Sequence, residues 1–364
     1  MTAAPDPTAQ RRADVLDDAY DRLADYSFLD GPGLAVHAPM AAEALCALGH
    51  DAAVSDWVEG YKARYDPLPA PSATEAINPA DPSSWRAALG NPGRLTDWQH
   101  LFTRELTQRL WPEVIGTWAP RLLAGYGGAF THGLLRTAHA VRALASAPAP
   151  SSLATDELAK GLALWAGMYT ELPGHPRLDG DRALAEALTR LPRPETTWTP
   201  VEAGMFLRLG DLPDFADAIE ALTAPIRLDD AFSDLTLTFA RMMLANLGAD
   251  AIGLVHTITP VAATRTLTPH LPTVPTTVLY AQLWKVNAAI TVGFTSGHDT
   301  LATTTTIASD TPMPTADALI AKATEHRDPH VVKFTEACLN ENTLRPDPAY
   351  LLAAQHLIDT TPAW

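Results

Sequence analysis

The chain has 364 residues, of which 47% are apolar, and its 42 acidic against 26 basic side chains give a formal net charge of -16. That much apolar material builds a substantial core and excludes a disordered chain. The negative charge repels phosphate backbones and anionic headgroups, which excludes nucleic acid and membrane surfaces as partners.

Cys46 and Cys338 are the only cysteines, too few for a disulfide framework or a four-cysteine zinc site. Any metal would therefore fall mainly to nitrogen and oxygen ligands. The N-terminal stretch is charged where a signal peptide needs an apolar region, and no run approaches the ~20 apolar residues of a membrane span. A cytoplasmic protein is expected.

Helical periodicity dominates, and proline cuts the helices short. Residues 11–26 predict an amphipathic helix with Leu16, Ala19, Tyr20 and Leu23 on one side. FLDGPGLAVHAP then breaks the chain, and Pro39 suits the first turn of a helix reaching Gly49. His37 thus lies at a helix entrance, with Glu43 further along. Further helices are expected over 51–64, 96–110, 112–118, 129–146, 154–170, 181–191, 199–209, 212–222, 229–247, 248–257, 260–269, 274–293, 313–326, 329–341 and 348–359. Runs of β-branched residues with hairpin turns are scarce, apart from threonine-rich stretches such as 300–309. The fold class is all-α. No fixed repeat period is present. Chemistry-bearing residues scattered from 37 to 333 predict one large multi-helical domain over 1–364, with a split near 190 as the alternative.

Nucleotide-binding and hydrolase motifs are absent. No G-x-G-x-x-G follows a strand, and no G-x-S-x-G, H-E-x-x-H or P-loop occurs. Histidines remain. In FTHGLLRTAHAVRAL, an advance of about 100° per residue puts His132, Arg136 and His139 on one helical face. Two histidines seven apart are ~10.5 Å apart along the axis, a spacing that permits a shared ion without requiring one. One core histidine and one surface histidine account for the spacing more readily. In DPHVVKFTEACLNE, Pro329 opens a helix that places His330, Lys333 and Phe334 on one stripe. A buried lysine loses its proton more readily, and a neutral amine can take up carbon dioxide as a carbamate; a lysine that snorkels past Phe334 to water reads as well. His256 follows an apolar run in LVHTITPVAATR, where a lone histidine also suits a structural role. Seven tryptophans, Trp57, Trp85, Trp98, Trp111, Trp118, Trp165 and Trp284, could stack on a planar ligand, although packing is the commoner use.

Four blocks in order, HAPMAAEALCALG, WAPRLLAGYGGAFTHGLLRTAHAVRAL, LVHTITPVAATR and PHVVKFTEACLNE, resemble the questin oxidase-like family. Val36 and Ala38 stand where that pattern has Asn and Gly beside the first histidine. The resemblance implies an all-α oxygenase that opens a ring of an aromatic polyketide of the anthraquinone kind. It also implies a buried non-haem Fe(II), with dioxygen as co-substrate and carbon dioxide held as a lysine carbamate. Some members are NADPH-dependent Baeyer-Villiger-type oxidases, and a decayed member would be a non-catalytic binder of aromatic molecules. Carried onto this sequence, the implied ligands are His37, His132, His139, His256 and Lys333. His330 would support or replace one of them, Arg136 would hold the carbamate or a phenolate, and Glu43 would orient His37.

Overall fold

The computed structural model describes residues 6–31, 33–296, 302, 306–308 and 310–363. These residues are mostly helical, as the periodicity predicts. The chain forms two compact units, one of residues 1–170 with 266–272, the other of 171–265 with 273–364.

The first unit opens with α1 (Pro7–Arg22). A two-residue hairpin follows, β1 (Leu29–Asp30) antiparallel to β2 (Leu34–Ala35), and leads into α2 (Ala38–Ala47). Then come α3 (Val54–Arg64), α4 (Pro82–Ala88), α5 (Leu95–Gln108) and α6 (Trp111–Leu122). The unit's last long helices are α7 (His132–Ser146) and α8 (Ser152–Gly167). Helix α4 falls partly in a stretch whose Pro and Ser content reads as loop. It forms because Asp81 caps it through Ser83 N and buries Trp85. Helix α7 begins three residues later than its apolar pattern suggests, since Ala129, Phe130 and Thr131 adopt positive φ of 47, 52 and 70°.

Helix α8 is the centre of this unit, packed against α7 and α5, while α2 lies on α7. The close approach of α7 to α8 depends on two glycines. A Cβ on Gly133 would lie 2.4 Å from Trp165 Cα, and one on Gly161 would lie 2.9 Å from Thr137 N. Beside them, Trp85, Trp98, Phe102 and Trp118 pack mostly edge to face, with centroids 5.2–6.0 Å apart. These tryptophans are packing residues.

The second unit contains α9 (Leu184–Thr189), α10 (Pro200–Met205), α11 (Asp214–Glu220), α12 (Leu228–Ala245) and α13 (Ala251–Leu254). Helix α14 (Thr259–Leu267) runs into the short 266–272 segment of the first unit. The chain returns with α15 (Thr276–Phe294), α16 (Ala316–His326), α17 (Pro329–Leu344) and α18 (Pro348–Thr360). Helix α17 packs between α16 and α18, and α12 packs on α15 and α18. Most of the threonine-rich stretch 300–309 lies outside the described residues. No described helix is long and apolar enough to cross a membrane.

The glycine contacts make a direct prediction. Gly133→Ala and Gly161→Ala each force a methyl group into main chain and should cost about 1–3 kcal/mol in urea unfolding. Gly204→Ala meets nothing within 4 Å and should be neutral or stabilising by up to about 1 kcal/mol, as expected for alanine over glycine in a helix.

Candidate metal centre

In the first unit the hairpin delivers His37 to the start of α2. Its backbone N–H donates to Tyr61 Oη at 3.0 Å, and that hydroxyl donates in turn to the buried carboxylate of Asp30. Burial pushes Asp30 up to about 6, against the opposing hydrogen bond from Tyr61. His37 Nδ1 bonds to Ala35 O on β2. His132, the first residue of α7, bonds through Nδ1 to Ala129 O at 2.7 Å. The left-handed turn therefore has a local purpose: it brings that carbonyl under the imidazole. His37 and His132 are both 5% exposed, and their rings meet edge to face with centroids 4.4 Å apart.

In the second unit His256 sits in a single 3-10 turn between α13 and α14, with Nδ1 3.1 Å from Ile252 O and 3.3 Å from Gly253 O. Asn287 on α15 donates to Thr257 O at 2.9 Å and fixes the same turn. His330 lies in the first turn of α17. Asp328 caps that helix, and its Oδ1 accepts from His330 N at 2.8 Å and lies 3.1 Å from His330 Nδ1. The His256 and His330 ring centroids are 5.6 Å apart. Lys333, one turn further on, is 3% exposed, and its Nζ has no hydrogen-bond partner among the described residues. Burial pushes its amine down to about 7, with Asp328 opposing.

A carbonyl oxygen can only accept, so Nδ1 of His37, His132 and His256 carries the proton, and the ring lone pair lies on Nε2. A carboxylate does the same for His330 and for His139, whose Nδ1 is 2.6 Å from Glu43 Oε2. Metal-binding imidazoles are oriented in this way, with the second nitrogen held by an oxygen acceptor. His326 does the reverse, using Nε2 on Thr361 O. His37 and His132 in the first unit, and His330 in the second, are each prepared in the former way as nitrogen donors.

Several expected residues have other partners. Glu43 bonds to His139 and, through both oxygens, to Arg142. Burial alone would raise the Glu43 carboxyl, but Arg142 and His139 outweigh it and bring it down to about 2. Arg136 is fully buried and engages Glu157 at 2.6 and 2.8 Å and the Ser27 carbonyl. Three of its donor bonds serve a buried ion pair and a main-chain carbonyl. Sequence reading did not single out Glu157, Asp30, Tyr61 or Asp328; only Asp328, in an Asp-Pro helix opening two residues before a histidine, carried a local signal.

Removing one partner of a buried ion pair leaves an uncompensated charge. Glu157→Gln should therefore lose about 3–5 kcal/mol of stability in urea unfolding. Glu43 adds a pH signature. Its folded pKa lies below the unfolded value of 4.5, so its stabilisation is complete above pH 4.5 and is lost as pH falls towards about 2. Glu43→Gln should flatten the melting temperature across that window, where the native protein declines. In comparison with known proteins, no family model matches the chain and no curated protein matches it.

Proposed function

We propose that the protein is an Fe(II)-dependent oxygenase that opens a ring of a polycyclic hydroxyaromatic substrate of the anthraquinone kind. One observation carries the reading: His37 and His132 in the first unit and His330 in the second each have Nδ1 committed to an oxygen acceptor, as metal-binding imidazoles do. Neutral nitrogen donors joined by an anionic oxygen suit Fe(II) over the harder Mg and Ca ions. Lys333 would supply the oxygen. Its amine attacks carbon dioxide, the displaced N–H proton leaves to solvent, and the resulting carbamate is an anionic oxygen donor. A buried amine brought down to about 7 is neutral often enough for that step.

Bound non-haem iron supplies the one-electron chemistry by which dioxygen reacts with an organic substrate. The chain's own contribution is to hold His37 through Ala35 and Tyr61, His132 through Ala129, His256 through Ile252 and Gly253, and His330 through Asp328. Burial of the His37, His132 and His256 rings keeps bulk water away from the reacting atoms. The resemblance to the questin oxidase-like family supports the ring-opening chemistry and the substrate class.

Protein purified without chelator should carry stoichiometric iron, read by elemental analysis, and His132→Ala and Lys333→Ala should lose most of it. Asp328→Asn should weaken metal binding by about 10–100-fold. A wild-type chain that retains no divalent metal would overturn the reading, and unchanged iron in Lys333→Ala would remove the lysine from coordination.

A further inference from the structure

Arginines of the first unit are mostly matched by carboxylates, as Arg94 is by Asp97, Arg109 by Glu105, Arg136 by Glu157 and Arg142 by Glu43. Arg86 and Arg121 are matched by tryptophans instead. Arg86 on α4 holds its guanidinium carbon 4.9 Å from the Trp85 ring centroid. Arg121, one turn after Trp118 on α6, lies 5.2 Å from Trp85 and 4.5 Å from Trp118. Two full positive charges thus share one indole, and neither makes an ion pair or a hydrogen bond with a described residue.

The tryptophans account for where these groups lie but not for their donors. A guanidinium stacked on a ring uses its face, while its N–H groups point outward in its plane, ready for an oxygen. Arg121 Nη1 is turned inward without a partner, but the side chain as a whole is partly exposed and Arg86 is exposed. A ligand therefore reaches the pair from solvent and needs no enclosed cavity. Burial pushes the Arg121 guanidinium down; Glu105 opposes this, and Arg109 and Arg86 repel the charge. Glu105 is itself bonded to Arg109, which leaves the stacked pair without an anion of its own.

Two forks favour a tetrahedral anion. A carboxylate offers two oxygens and one charge, enough for one guanidinium, whereas a phosphate group presents oxygens on every side and accepts from two. A polymer of phosphates would meet the chain's net charge of -16, so the fitting ligand is small. We propose that Arg86 and Arg121, held on the Trp85 indole, form a surface site for a small tetrahedral oxyanion of the phosphate kind. The site does not rest on the oxygenase reading.

Calorimetric titration of the whole protein at fixed ionic strength tests it, with inorganic phosphate, phenyl phosphate and acetate as probes. Wild type should bind inorganic phosphate more tightly than acetate. Arg86→Gln and Arg121→Lys should each weaken phosphate about tenfold, the loss of one charge-assisted hydrogen bond. Arg86→Gln alters an exposed side chain, so its melting temperature without phosphate should match that of wild type, and the rise that phosphate gives should shrink. Stacking that serves packing alone would instead shift the melting temperature and leave phosphate affinity as it is. Tighter binding of phenyl phosphate than of phosphate would identify a phosphorylated small molecule as the ligand, and equal binding the free ion. Absence of phosphate binding to wild type, acetate binding as tightly as phosphate, or unchanged phosphate affinity in either arginine variant would overturn the assignment.

Discussion

An imidazole buried in a helical core can serve a metal only when one ring nitrogen is already committed, because that commitment fixes both the tautomer and the direction of the other lone pair. His37, His132, His256 and His330 all meet this condition through Nδ1. Much of the surrounding backbone is arranged to satisfy it. The β1–β2 hairpin exists where Ala35 must accept from His37, and the left-handed residues 129–131 present a carbonyl to His132. The isolated 3-10 turn at Val255–Thr257 turns His256 back onto the preceding helix.

Charge in the interior follows a complementary rule. A buried ion is tolerated when it is paired and hydrogen-bonded. Arg136 has Glu157, Arg265 has Glu341, and Glu43 has Arg142 and His139. Lys285 donates to the carbonyls of Leu172 and Gly174. Lys333 Nζ has no hydrogen-bond partner among the described residues. That difference is what favours its amine, and not that of Lys285, in the proposed reaction with carbon dioxide.

The helical elements were legible because their apolar spacing is local. Helices expected over 274–293 and 348–359 lie at Thr276–Phe294 and Pro348–Thr360. Of the site, His37 at a helix entrance and the Pro-opened stripe of His330 and Lys333 were readable from capping and periodicity. The partners of Arg136 and Glu43 were not. Sharing a face on α7 says which residues point one way, but Glu157 comes from α8 and Glu43 from α2; pairings between distant segments leave no mark in local spacing. The left-handed turn was hidden for another reason. Ala129 and Phe130 are ordinary helix residues by propensity, and tertiary demand overrides it.

The anchors of His37, His132 and His256 are main-chain oxygens. Such an anchor belongs to the path of the backbone and not to the identity of Ala35, Ala129 or Ile252. Substitutions at those three positions can accumulate without detaching the rings, provided the path survives. His330 is held differently, by the side chain of Asp328, so a single base change can release it. Three of the four orientations are thus robust to mutation, and the fourth, at the head of α17, is exposed to it.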